Sequence, residues 1–213
     1  MIITREQLKE TTGVDYYDGS IIHERFAYKF FREQLNAVGN ILAYVAPMEV
    51  TTNLIDLEDS LNKDFIYSES AMNFVMEIPR IDAFAGVAFQ RLLNMQVGSL
   101  LCSKYLQKDG YVDGDDIMVF TGEPEKETTN PETGEKGVIP AEAKKASVSI
   151  ACEKSGAVLI HLGINIFAGE KAPKFAYSTE LSEELALEFM TDVCTLFYKN
   201  VADIFLATAK VIV

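Results

Sequence analysis

Lysines 144 and 145 open a stretch in which Ser147 and Ser149 follow at alternate positions, and further on His161, Gly163 and Asn165 alternate in the same way. In an extended chain alternate residues share a face, so Lys145, Ser147 and Ser149 form one polar row and His161, Gly163 and Asn165 another. An ammonium at the end of such a row can bind a carboxylate or a phosphate. An imidazole midway has an ordinary pKa near neutrality and can give or take a proton. Lys145 and His161 are therefore the candidate catalytic residues. Lys144, Ser147, Ser149, Gly163 and Asn165 are candidate ligand contacts, and alternation favours Lys145 over Lys144 because it shares the polar face. The competing description is a partly solvated sheet face without chemistry.

These rows need two paired strands. Residues 145–152 and 157–167 both alternate, with Ser155-Gly156 between them, which reads as an antiparallel hairpin. With a five-residue connection, Ser149 lies opposite His161, Ser147 opposite Gly163 and Lys145 opposite Asn165. The other face, Ala146, Val148, Ile150 and Cys152 against Val158, Ile160, Leu162, Ile164 and Ile166, is then the core face.

Earlier in the chain, Asp82 follows Pro79 as a helix cap, and residues 83–106 are apolar almost all the way round, as in a helix covered on most sides. Arg91 projects onto its apolar face, so an acidic partner or an anionic ligand is expected beside the guanidinium. Arg91 joins the candidate ligand contacts on that ground. Gly86 and Gly98 permit close packing of this helix on a sheet. Ser20 reads as the cap of an amphipathic helix reaching Leu35, with His23 and Glu24 leaning toward its buried side as a satisfied histidine and a first-turn carboxylate. Residues 41–46 read as a buried strand ended by Pro47. Asp56, Glu58 and Asp59 cluster beside leucines at helical spacing (Leu54, Leu57, Leu61). This is either a solvated acidic face or a set in which one acid pairs a buried cation or holds a metal ion. Residues 117–120 read as a short strand, and residues 122–143 as a long polar loop or extended hairpin. Thr179 reads as the cap of a final helix over residues 181–208, with a stripe of Ala186, Met190, Val193, Phe197, Val201 and Ile204. The apolar tail 211–213 reads as an edge strand or a subunit contact.

The whole is 213 residues, 48% apolar and 24% charged, which suits one domain over residues 1–213 of the α+β class, a mixed, largely antiparallel sheet flanked by helices. Nineteen basic against 32 acidic residues leave a net charge of −13, which repels a phosphate backbone, so no nucleic-acid partner is expected. Residues 1–10 are too charged for a secretory signal or a spanning segment, so the expected setting is the cytoplasm, away from membranes. The three cysteines lie in apolar stretches and read as core residues, and the two histidines match no zinc spacing, so no metal is expected. Nothing in the sequence names a cofactor.

Several segments resemble domain-of-unknown-function family 366: Phe26-Ala27-Tyr28, Asn40-Ile41-Leu42-Ala43-Tyr44, Ile55-Asp56-Leu57-Glu58-Asp59, Phe89-Gln90-Arg91-Leu92-Leu93, and Ser147-Val148-Ser149-Ile150-Ala151 through His161-Leu162-Gly163-Ile164-Asn165. The resemblance spans about Val14 to Thr208, with residues 122–143 as an insertion. It implies the fold shared by biotin ligases, lipoate ligases and octanoyl transferases, a class II synthetase-like core. In those enzymes a lysine, one residue and a small residue open a strand facing a Gly-Ile-Asn element, which Lys145-Ala146-Ser147 and Gly163-Ile164-Asn165 match. The lysine there contacts acyl or acyl-adenylate oxygens, where a fixed cation stabilises negative charge. The resemblance stops short of their other parts. No Gly/Arg-rich adenylate loop is present, and residues 167–173 contain no cysteine of the octanoyl-transferase kind. Three expectations follow: a transferase or ligase acting on a small carboxylic acid or acyl group, a ligand-binding module without chemistry, or an interaction subunit. A homo-oligomer is expected.

Overall fold

The computed structural model describes residues 1–23, 25–31, 35–62, 64–122, 126–129, 136–139 and 142–211. Its centre is a four-stranded antiparallel sheet built from β1 (Asn40–Val50), β2 (Ile66–Pro79), β8 (Ser147–Lys154) and β9 (Ala157–Phe167), in the order β1-β2-β9-β8. A smaller sheet joins β3 (Gly110–Asp113), β4 (Asp116–Phe120) and β7 (Ala143–Lys145), and β5 (Lys126–Thr129) pairs with β6 (Lys136–Ile139). The helices are α1 (Arg5–Thr12), α2 (Ala27–Phe31), α3 (Leu57–Asn62), α4 (Ala83–Leu100) and α5 (Glu183–Ala209). The α+β expectation holds. Among the described residues no helix is long and apolar enough to cross a membrane.

Each face of the large sheet has its own core. Helices α4 and α5 cover one, where Phe89, Leu93, Phe189 and Phe197 meet Phe74, Ile160 and Ile164. The amino-terminal segment covers the other, with Leu8, Tyr17, Ile22 and Phe26 against Leu42, Met48 and Val75. Each fully buried side chain of this size contributes roughly 1.5–3 kcal/mol. A sheet covered on both sides explains why β2 from Ala71 to Ile78 and β9 from Ala157 to Asn165 are buried at every position, polar residues included. All three cysteines are free, and burial pushes their thiols above the usual range; Cys102 is a core residue as expected, whereas Cys152 and Cys194 are half-buried against the two cores.

Helix α4 starts at the expected cap, Asp82, whose carboxylate accepts the Ala85 N–H, and winds on through a wider π-type segment, Leu101–Leu106. Its approach to the sheet is set by Gly86, where an added Cβ would lie 2.4 Å from a Val158 methyl. Gly86→Ala gains about 1 kcal/mol of helix propensity and loses about 1–3 kcal/mol to overpacking, so a net loss is expected in urea unfolding. Val158→Ala in the same chain should recover part of it, because the clash and its relief share one contact.

Several sequence expectations need correcting. The helix expected from Ser20 to Leu35 is instead a 3₁₀ turn, Ser20–His23, followed by the short α2. The cause is Glu77, a buried carboxylate on β2 that accepts the Ala27 N–H and pairs with Arg25, so the helix restarts at Ala27. Ser20 gives its hydroxyl to Asp18 rather than capping, and Glu24 lies outside the described residues. Strand β1 does not end at Pro47, because a register shift between Ala46 and Met48 accommodates the proline as a bulge. Leu57 and Leu61 are exposed, so α3 is not held by its leucines. The final helix is capped by Ser182, while the Thr179 hydroxyl donates to the Asn165 carbonyl. Ile204 is exposed, unlike the five residues before it in the stripe, and Val211 forms no strand. Ile212 and Val213, and residues 123–125, 130–135 and 140–141 of the polar excursion, lie outside the described residues.

The β8–β9 register also differs from expectation. A two-residue turn, Ser155 and Gly156, both at positive φ, joins the strands and pairs Lys154 with Ala157. Ser149 therefore faces Leu162, Ser147 faces Ile164, and His161 faces Ile150. A shift of one residue exchanges the faces of one strand relative to the other. Ser147 and Ser149 lie on the helix-covered side, whereas His161 and Gly163 lie beneath the amino-terminal segment.

Candidate functional site

A cleft of about 550 Å³ opens along the β8 edge, between that strand, the segment from Asn53 to Tyr67, the β3–β4 turn and the Pro173–Ala176 loop. Lys145 sits where the chain leaves the small sheet for the large one. Its amide donates to the Phe175 carbonyl and its own carbonyl accepts the Tyr177 N–H, both at 2.8 Å. The Phe175–Tyr177 segment thus fixes its backbone on one side, and Met118 of β4 pairs with it on the other. The ammonium lies 2.7 Å from Asp116 Oδ1 and lines the cleft, while Lys144, one residue back, does not.

The sequence did not reveal how acidic the surroundings of Lys145 are. Asp56, Asp59, Asp64, Asp115 and Asp116 all line the cleft, and among its described lining residues Lys145 is the sole lysine or arginine. Asp59 is half-buried, and burial raises its pKa, helped by Asp56 and Asp64 and opposed by Lys145. Burial likewise raises Asp116, against the pull of Lys145. Asp56 Oδ1 accepts the Glu58 and Asp59 N–H groups, which caps α3 and turns its acids toward the opening. Among the described residues no three ligating side chains come together as a metal site. Asp116 lies 29 positions and Asp59 lies 86 positions from Lys145, so no local spacing could have revealed these contacts.

His161 is fully buried yet borders the cleft beneath Tyr17, with ring centroids 3.6 Å apart and planes 7° from parallel. Its Nε2 lies 3.1 Å from Asn73 Oδ1. The Asn73 amide nitrogen donates to the Ala46 and Ala71 carbonyls, so its oxygen is the acceptor and His161 must donate. Burial pushes the imidazole pKa down to about 3. At neutral pH His161 is an uncharged ring in a fixed tautomer.

The other expected residues are used locally. Ser147 Oγ accepts the Ile117 N–H, and Ser149 Oγ accepts from Gln90 while donating to the His161 carbonyl, although both serines still reach the cleft wall. Asn165 lines the cleft and gives its amide to the Tyr177 carbonyl. Gly163 leaves room for Met48 rather than for a ligand, since a Cβ there would lie 2.4 Å from the Met48 sulfur. Arg91 finds its acidic partner in Asp115 at 2.9 Å and does not line the cleft.

Fold and cleft together define an α+β protein whose antiparallel sheet is roofed by two long helices and carries an acidic pocket at one edge. The chain belongs to the family described as Domain of unknown function (DUF366), whose model matches residues 7–123. The uncharacterized protein MJ0805 of Methanocaldococcus jannaschii is 33% identical over 156 residues, covering 70% of this chain. The match spans 58% of that relative's length. A protein of unknown function from Pyrococcus horikoshi has the same fold, with a TM-score of 0.72 at 22% identity over 92% of both chains. Biotin and lipoate protein ligases also match, at TM-scores of 0.40 to 0.43. One is the Helicobacter pylori biotin acetyl coenzyme A carboxylase synthetase with bound biotinylated ATP, at 0.43 and 12% identity, covering 89% of this chain and 75% of that one. At that distance no residue role passes from them to this chain.

Proposed function

We propose that the cleft binds a small carboxylic acid, free or as an acyl derivative, through Lys145, and that the ligand also carries a positive charge. The observation behind this reading is that Lys145, the one lysine or arginine among the described residues of the cleft, is set among carboxylates and already paired with Asp116. Two unit charges 4 Å apart interact by about 4 kcal/mol at an effective dielectric of 20. A plain carboxylate therefore gains little here, because what Lys145 offers the surrounding acids take back. A zwitterion gains at both ends, its carboxylate on Lys145 and its cation on Asp59 or Asp56.

His161 supports binding rather than proton transfer. An imidazole that stays neutral far below pH 7 and has its Nε2–H committed to Asn73 backs the stacked Tyr17 and shapes the pocket wall. A ligand-binding module is therefore favoured over a transferase that uses His161 as its acid or base.

Thermal-shift titration tests both parts of the reading. The panel would include octanoate, lipoate and biotin as plain acids, amino-acid zwitterions, acyl thioesters and nucleotides. At a hundredfold excess over Kd a ligand adds about 2.7 kcal/mol, which is about 5 °C or more for a chain of this size. A zwitterion should give that shift in the parent chain and none in Lys145→Ala, whose unliganded Tm should stay close to the parent's. Equal shifts from plain acids would remove the requirement for a cation, and a shift surviving Lys145→Ala would remove the anchor.

A further inference from the structure

Among the described residues no element covers the outward face of α4. Phe84 is 86% exposed and Met95 62%, with Val87 and Leu92 partly exposed and Ala88 between them. These positions fall on one helical strip opposite the side that packs on the sheet. At its carboxyl-terminal end the strip runs into a second groove of about 890 Å³, between α4 and the β3–β4 hairpin, walled by Met95, Cys102, Tyr111, Val112 and Phe120. One end of the strip carries a projecting ring and the other a hollow. They are eleven residues apart, or about 16 Å along a helix.

We infer that this face binds a second copy of the chain by a two-fold, antiparallel pairing of α4 with α4. In an isologous contact, residue i of one copy meets residue j of the other and j meets i. A projection and a hollow at opposite ends of one helix face satisfy that condition, so each Phe84 enters the other copy's groove beside Met95 and Tyr111. Ala88 lies near the middle, where a small side chain lets the helices approach.

Charge supports a copy of the same chain. Two molecules of net charge −13 repel over most of their surface, yet α4 has no acidic residue in its 18 positions and its one charge, Arg91, is held by Asp115. Along α4 itself this face meets its own image with no carboxylate; the acids lie at its ends, Asp82 and Glu153 at the amino terminus and Asp109, next to Lys108, on the groove. With roughly 200 Å² for a fully exposed phenylalanine and less for the others, the strip and Tyr111 offer roughly 600 Å² per copy, the lower end of a specific interface. A dimer with micromolar dissociation is expected.

Sedimentation and light scattering of the full chain across a concentration series test this. The parent chain should approach twice 23.7 kDa at about 50 µM. Phe84→Glu and Met95→Glu, each at an exposed position, should weaken association at least a hundredfold and leave the single-copy mass with an unchanged circular dichroism spectrum. Amide exchange on the unaltered chain gives a readout that does not depend on a variant folding. Residues 84–95 should gain protection as concentration rises. A single-copy mass at every concentration would overturn the pairing, as would a dimer indifferent to both substitutions or concentration-dependent protection confined to another element. A single copy that instead binds lipid vesicles through Phe84 would assign the face to a membrane and overturn it equally.

Discussion

Acidifying the protein from pH 6.5 to pH 4 should weaken the folded state by roughly 3 kcal/mol through His161 alone. The imidazole pKa is about 3 when folded, against an ordinary value of 6.5. Between those values the unfolded chain binds a proton at this site and the folded chain does not, so stability rises with pH at about 1.4 kcal/mol per unit and is lost on the way down. The slope is half its full value at pH 6.5 and falls to near zero by about pH 7.5. Asp59 and Asp116 act in the opposite sense, because their folded pKa values are raised and protonation favours the native state. The measurement is therefore a difference. Urea unfolding of the parent and of His161→Gln is followed from pH 7.5 to 4, and the parent should have the steeper fall below 6.5. Parallel curves would mean that the ring reaches water and that the buried stack with Tyr17 does not form.

Asn73→Leu should cost about 3–5 kcal/mol, a large part of the stability of an ordinary domain. The Asn73 side chain is completely buried and makes three contacts, donating to the Ala46 and Ala71 carbonyls and accepting from His161 Nε2. Ala46 stands at the β1 bulge, where the ladder is interrupted, so its carbonyl depends on this amide. A leucine of similar volume fills the space and leaves a carbonyl and an imidazole N–H without partners. Replacing both ends of the His161 contact should cost less than the sum, because the double variant Asn73→Leu, His161→Phe no longer buries an orphaned ring nitrogen. Additive losses in urea unfolding would show that the two side chains do not interact.

The strands near the carboxyl end, the Asp82 cap, the close-packed glycines of α4 and the acidic partner of Arg91 were all legible in the sequence, because each follows from a local pattern or a local cost. The hairpin register was not. Ser155 adopts a positive φ, a conformation that serine seldom takes, so the sequence does not announce the two-residue turn. That single residue separates Ser147 and Ser149 from the face of His161. The break before α2 was hidden for a different reason, since its cause is a glutamate fifty positions away on β2. The acid cluster at Asp56 and Asp59 was visible as a cluster, but only the tertiary fold brings Asp116 and Lys145 to it. Lysine 145 was singled out by its neighbours in sequence, and the acids around it are assembled from elsewhere.

The hairpin of β5 and β6 leaves the body between two strands that are already joined. Met118 pairs with Lys145 and Phe120 with Ala143, and beyond them the Thr121 N–H reaches the Glu142 carbonyl at 2.8 Å. This main-chain clasp closes the chain between residues 121 and 142 at its base. The excursion's length and composition can drift, or a reporter can be grafted in its place, at an entropic cost that grows only with the logarithm of the added chain. The seam below, which holds the ammonium in position, carries none of that burden.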